Sequence, residues 1–190
     1  MAISRLVPAL LAAVALAAGA AEIAGVKFEP RERVGSAELT LNGAGLRKRA
    51  FFQVYAIGLY LPEKRRAAAE AISLPGPKRV AIHMLRDVGA EQFVEALADG
   101  LRDNHSEADF KAIEPRMRQF VELMKGIGEA KKGMRITLDW TGAGTVLSVD
   151  GRAAGAPISG EDFYRALLRV WLGERPVQAD LKPALLGVAD

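Results

Sequence analysis

Residues 37–62 read AELTLNGAGLRKRAFFQVYAIGLYLP and carry the strongest structural signal in the chain. The stretch is rich in aliphatic and aromatic residues, has no proline before Pro62, and contains glycines within residues 42–45. It predicts two β-strands joined by a Gly-rich turn at residues 42–45, with Pro62 ending the second strand. In the second strand Tyr55, Ile57, Leu59 and Leu61 would share one face, and both faces are expected to be covered.

The remainder of the chain adds strands and helices to this pair. Apolar residues alternate along 79–84 and along 134–149, which predicts one more strand and a β-hairpin with its turn at residues 141–144. Helical periodicity begins at Ala90, at Ser106 and at Ser159, and Pro115 is expected to restart the second helix. Without βαβ alternation, this order predicts a single α+β domain with helices packed on an antiparallel sheet.

The composition narrows the class of protein. Half of the 190 residues are hydrophobic and 26% are charged, which excludes a disordered chain, a collagen and a polytopic membrane protein. The formal charge is only +3 and no aromatic series accompanies the basic clusters, so nucleic acid is not an expected partner. With no cysteine, the chain has neither a disulfide nor a thiol for lipid attachment.

The N-terminus has the pattern of a secretory signal peptide. Arg5 precedes an apolar run over residues 6–18, and small residues follow at 18–21. An uncleaved anchor is the alternative, but the run is shorter than the ~20 residues that span a bilayer. We expect a signal peptide over residues 1–21 that is cleaved near residues 20–21. A single periplasmic domain over residues 22–190, without a stable membrane anchor, would remain.

Few residues offer chemistry by themselves. The two histidines, His83 and His105, are too isolated for a metal site, and no motif predicts a cofactor. A half-buried structural role is the favoured interpretation of His83, with proton transfer as the alternative. One constellation remains: Arg47 could hold a carboxylate while Tyr55 donates a hydrogen bond. A surface arginine beside a core tyrosine would give the same pattern.

The motifs LNGAGLR at residues 41–47 and VYAIGLYLP at residues 54–62 resemble the signature region of the chalcone isomerase-like superfamily. Residues 91–97 and 170–174 fit later blocks, and the resemblance covers roughly residues 37–187. It implies an open-faced β-sandwich, in which a large antiparallel sheet is backed by a layer of helices and a ligand site lies between them.

The resemblance also implies that the catalytic groups of plant chalcone isomerases are mostly replaced. Of their site residues only the arginine is kept, as Arg47. Tyr55 stands at a strand threonine, and the other three replacements are Phe93 for a tyrosine, Gly100 for an asparagine and Val170 for a threonine. These changes remove the groups that order a catalytic water and the ketone oxygen, so no catalytic residue is assigned.

Fatty-acid-binding relatives in the superfamily pair an arginine with a tyrosine at the positions of Arg47 and Tyr55. The resemblance thus implies a small amphipathic acid as ligand, with Phe93 and Trp171 as apolar walls, while Arg49 lies outside the matched motif. Two alternatives stay open. One is an isomerase or lyase in which Arg47 polarises a carbonyl and Tyr55 donates a proton; the other is a partner-binding scaffold with a filled cleft. The oligomeric state is not indicated.

Overall fold

The computed structural model describes residues 20–189. A seven-stranded antiparallel sheet forms its centre, in the order β11-β10-β9-β6-β5-β4-β3. The strands of this sheet are β3 (Arg31–Val34), β4 (Ala37–Arg49), β5 (Phe52–Leu61), β6 (Lys78–Met84), β9 (Arg135–Trp140), β10 (Thr145–Val149) and β11 (Arg152–Ala153). Two short pairs stand apart from it: β1 (Ala21–Ile23) with β2 (Val26–Phe28), and β7 (Val88–Gly89) with β8 (Glu129–Ala130).

Five helices accompany the strands: α1 (Ala68–Ser73), α2 (Ala90–Asp103), α3 (Glu107–Ile127), α4 (Glu161–Leu172) and α5 (Leu181–Leu185). The main hydrophobic core lies between one face of the sheet and these helices, and Tyr55, Ile57, Leu59 and Leu61 all belong to it. The predicted α+β class, with a large antiparallel sheet packed against helices, is confirmed.

A second, smaller core covers the other face of the sheet. Phe28 from the β1–β2 hairpin packs there with Leu41, Ala56 and Tyr60. The sheet curls, so that Glu32 on edge strand β3 reaches Arg79 on β6, and their side chains lie 2.5 Å apart. Both faces of β5 are therefore covered, as its sequence predicted.

The prediction of a Gly-rich turn at residues 42–45 is wrong. Strand β4 runs unbroken through these residues, and the chain reverses at Ala50 and Phe51. The glycines serve packing instead, because a Cβ on Gly43 would overlap the carbonyl oxygen of Ala184 in α5. Asn42 fixes the same helix, because its side-chain amide donates to the Leu185 carbonyl at 2.8 Å. The motif thus allows α5 to pack closely against the sheet.

The start of α2 at Ala90 and that of α3 after Ser106 follow the sequence, whereas the effect of Pro115 and the start of α4 do not. Ser106 caps α3 by accepting from the Asp109 N–H, as predicted, and Pro115 sits inside α3 without interrupting it. The N-cap of α4 is Gly160, which offers no side-chain hydrogen bond, and Asp162 pairs with Arg116. The glycine leaves room for that ion pair, because a Cβ there would overlap the Arg116 side chain.

The predicted signal peptide falls almost wholly on residues that lie outside the described range. Ala21 already belongs to β1 and pairs with Phe28. From residue 20 to residue 189, no helix is both long and apolar enough to cross a membrane.

Candidate functional site

A cleft lies between the sheet and the helices α2 and α4. Its volume is about 620 Å³, inside the range of about 300–1,000 Å³ that is typical of small-ligand sites. Strand β5 forms its floor, the two helices form its walls, and the segment that follows α4 closes one side. The apolar side chains that line it include Val54, Phe93, Leu97, Val170, Trp171 and Val177.

Arg47 and Tyr55 lie side by side at this cleft. They face each other across the β4–β5 ladder, which directs their side chains to the same face of the sheet. A register shift follows Arg47, and such a bulge turns side chains away from the regular pleat. Arg47 is partly exposed, whereas Tyr55 is only 8% exposed. A cation and a buried hydroxyl are thereby brought to one place.

The hydroxyl of Tyr55 is oriented by its neighbours. The indole N–H of Trp171 donates to it at 3.0 Å. Burial raises the pKa of Tyr55, and the Trp171 hydrogen bond and the charge of Arg47 offset only part of that effect. The phenol is therefore protonated at neutral pH. Within residues 20–189 its hydrogen meets no acceptor, so it is available to a ligand in the cleft.

The buried part of the helical wall is apolar and tightly packed. Phe93 and Trp171 are 9% and 2% exposed and both line the cleft. Gly100 lets α2 approach α4: a Cβ there would lie 2.9 Å from Val170 Cγ1 and 3.3 Å from Val177 Cγ1. An asparagine at position 100 would therefore require the side chains of Val170 and Val177, or the helix backbones, to shift.

Gln178 supports the site, and its role could not be predicted from the sequence. The side-chain oxygen of Gln178 accepts from the Lys48 N–H at 2.7 Å and from Arg47 at 3.3 Å, and its amide donates to the Leu46 carbonyl at 2.9 Å. Gln178 therefore holds the bulge that positions Arg47. It lies more than a hundred residues away in a loop without regular periodicity, so no local pattern pointed to it.

Charged side chains form the rim of the cleft. Arg49 and Arg86 lie at the end nearest the β4–β5 turn, while Glu95, Asp99 and Asp103 lie along exposed positions of α2. The sequence motif left Arg49 outside the site, whereas the structure places it on this rim. The motif ends at Arg47, but the strand continues toward the turn.

Neither histidine lines the cleft. His83 pairs with Ala56 and Arg135 on the other face of the sheet, where its ring contacts Phe28 edge to face at 5.3 Å. Burial and the nearby Arg135 charge lower the pKa of His83. His105 bonds through Nδ1 to the Leu101 carbonyl at 2.8 Å. No group of three potential metal-ligating side chains forms anywhere in the described part of the chain.

The structure is thus a curled antiparallel sheet backed by helices, with an arginine and a tyrosine at the cleft between them. This is the architecture that the sequence resemblance implied. The chain belongs to the chalcone isomerase-like family, whose model matches residues 20–187. A comparison with curated proteins gives no significant match.

A solved structure shares this fold. It is the crystal structure of a fatty-acid-binding protein of Arabidopsis thaliana, which superposes with a TM-score of 0.67 at 17% sequence identity. The match covers 87% of this chain and 93% of the Arabidopsis chain. The likeness concerns the fold, and it extends over nearly the whole of both chains.

Proposed function

We propose that this protein binds a fatty acid or a similar small amphipathic acid, with the carboxylate at Arg47 and Tyr55 and the tail in the cleft. The observation that carries the proposal is a cation paired with a protonated, acceptor-free hydroxyl beside the apolar side chains of the cleft. The fatty-acid-binding protein of the same fold gives further support.

The energetics of such a complex are favourable. The guanidinium of Arg47 would give the carboxylate charge-assisted hydrogen bonds, and Tyr55 would add a neutral one. A tail of about ten carbons, buried at roughly 0.8 kcal/mol per methylene, contributes on the order of 8 kcal/mol before ordering costs. Apolar burial thus supplies most of the affinity, and the polar pair fixes the orientation.

An isomerase or lyase acting on a carbonyl compound is the second candidate. Its support is the same pair, in which Arg47 would polarise the carbonyl and Tyr55, kept protonated by burial, would donate a proton. His83, the second titratable group considered from the sequence, packs against Phe28 on the other face of the sheet and does not line the cleft. The cleft has open volume, which argues against the scaffold with a filled cleft.

The proposed site of action is the periplasm. The pattern of residues 1–21, with Arg5 before a short apolar run and small residues at its end, supports export and cleavage. Intact-mass spectrometry of the exported protein should find a mature chain that begins near Ala21 or Glu22. Recovery of the uncleaved chain in the membrane fraction alone would contradict this.

The carboxylate anchor is tested by three substitutions measured by titration calorimetry with fatty acids. Arg47→Ala should weaken binding by about tenfold or more, because it removes the charged partner of a buried carboxylate. Tyr55→Phe should weaken it less, because a neutral hydroxyl contributes less.

The control is Arg152→Ala, which removes an exposed arginine of β11 that does not line the cleft. General electrostatic attraction predicts similar losses for Arg47→Ala and Arg152→Ala. Equal, small effects of these two, or no binding by the unsubstituted protein, would overturn the proposal.

A further inference from the structure

The turn between β4 and β5 exposes two aromatic side chains. Phe51 is 83% exposed and Phe52 is 48% exposed. Among the described residues only Val188 is a comparably exposed large apolar residue. The two rings lie together, with centroids 4.3 Å apart, and they form one apolar tip at the end of the longest hairpin.

The turn does not have the sequence that a stable hairpin favours. Arg49 pairs with Phe52, which leaves a two-residue turn of Ala50 and Phe51, and Ala50 adopts a left-handed φ of 53°. Two-residue hairpin turns favour Asn-Gly or Asp-Gly, since these residues tolerate positive φ. A strained alanine followed by an exposed phenylalanine costs stability, so a role other than folding explains the tip better.

Cations are concentrated at the end of the sheet that carries the tip. Three segments meet at this end of the sheet, namely residues 48–53, 85–89 and 128–134, because Met84 lies beside Tyr55 and its carbonyl accepts from the Gly133 N–H. They carry five cations, Lys48, Arg49, Arg86, Lys131 and Lys132, against two acids, Asp87 and Glu129. The guanidinium of Arg86 lies 4.5 Å from the centre of the Phe52 ring. The whole chain carries only +3, so positive charge is concentrated here.

The tip adjoins the mouth of the cleft. Arg49, Phe52 and Arg86 all belong to the cleft rim. The acidic side chains of α2 lie on another part of that rim, so a negatively charged surface would attract the tip and repel the helix. A molecule docked by its tip would hold this part of the cleft rim near that surface.

We propose that the β4–β5 tip docks reversibly on a bilayer that contains anionic phospholipid. Phe51 and Phe52 enter the interface, and Lys48, Arg49, Arg86, Lys131 and Lys132 contact the headgroups. A second copy of this chain fits the tip less well, because the cations would face each other and two rings bury far less than the roughly 800 Å² per partner of a stable dimer. Docking would serve ligand exchange, and this role rests on the proposed function.

The test is flotation of the mature protein with phosphatidylcholine vesicles, with and without phosphatidylglycerol. Binding should require phosphatidylglycerol and weaken with added salt. Phe51→Ser, and Lys131→Glu combined with Lys132→Glu, should each reduce the partition coefficient by tenfold or more. The matched controls are Val188→Ser, an exposed apolar residue elsewhere, and Lys111→Glu, an exposed cation on α3; both should leave binding unchanged.

Vesicle binding that does not depend on phosphatidylglycerol, or equal effects of Phe51→Ser and Val188→Ser on that binding, would overturn the docking proposal. If sedimentation showed a dimer that Phe51→Ser dissociates, and vesicles were not bound, the tip would be assigned to a second copy.

Calorimetry with fatty acid in the absence of vesicles separates the two proposals. Phe51 does not line the cleft, so Phe51→Ser should bind the acid normally. If the unsubstituted protein bound no fatty acid, the proposed function would be contradicted and the docking proposal would stand.

Discussion

Gly43 shows how one missing side chain determines what packs against a strand. A Cβ at this position would overlap the carbonyl oxygen of Ala184 and would lie 2.7 Å from that of Leu185. Both are backbone atoms, so no rotamer change relieves the contact. Asn42, next to it, is 4% exposed and bonds to α5 and to Arg65 in the loop before α1. Together the two residues attach the C-terminal helix to the sheet.

Gly43→Ala should therefore destabilise the protein by about 1–3 kcal/mol, because α5 must move away from β4. Gly126→Ala is the matched control: it lies inside α3, where an added methyl group would meet nothing within 4 Å, and should stabilise by about 0.5–1 kcal/mol through helix propensity. Urea unfolding measures both. Destabilisation of equal size by the two substitutions would contradict the packing role of Gly43.

At the scale of elements, the sequence predicted what depends on local pattern. The alternation in β5, β6 and the β9–β10 hairpin and the cap of α3 at Ser106 were predictable, because periodicity and capping are local. The continuous strand β4 was not, because glycines favour a turn until α5 is known to lie against them. Pro115 broke no helix, since α3 continues through it as one element.

The residues of the candidate site could be predicted from the sequence, but the contacts between them could not. Arg47, Tyr55, Phe93 and Trp171 were named from the sequence, and the structure brings all four to one cleft. The hydrogen bond from Trp171 to Tyr55 and the support of Arg47 by Gln178 join residues more than a hundred positions apart. Only the packing of α4 and the loop after it against the sheet creates these contacts, so no single stretch of sequence could reveal them.

For the whole molecule, the two cores cover opposite faces of one sheet, and the cleft and a partly buried ion-pair network lie on different faces. The helix-covered face holds the cleft. The other face holds a network in which Arg79 binds Asp139 through two hydrogen bonds of 2.7 and 2.6 Å and Glu32 at 2.5 Å. Arg135 also bonds to Glu32, at 2.6 and 2.7 Å, and His83 lies beside it. This network ties edge strand β3 to the centre of the sheet.

The network predicts that acid destabilises the protein. Burial opposes ionisation of Glu32, but hydrogen bonds and charge from Arg79 and Arg135 outweigh it and hold its pKa below 4.5. Burial and Arg135 lower the pKa of His83 below 6.5. In both cases the unfolded chain takes up a proton at a higher pH than the native one, so stability falls as pH falls.

The free energy of unfolding should thus decrease from pH 7.5 toward pH 5, first because of His83, with the Glu32 contribution lost at lower pH. His83→Gln should reduce the decrease between pH 7.5 and pH 5. Urea unfolding at a series of pH values measures this. A curve of the same slope with and without the histidine would show that His83 does not cause it.

The proposed function depends on whether the cleft holds the carboxylate of an amphipathic acid. Titration calorimetry with dodecanoate and with methyl dodecanoate answers this, because the two ligands share a tail and differ in charge. We expect the unsubstituted protein to bind the acid about tenfold or more tightly than the ester, and Arg47→Ala to abolish the difference. Equal affinity for acid and ester, or no binding of either, would contradict the carboxylate anchor.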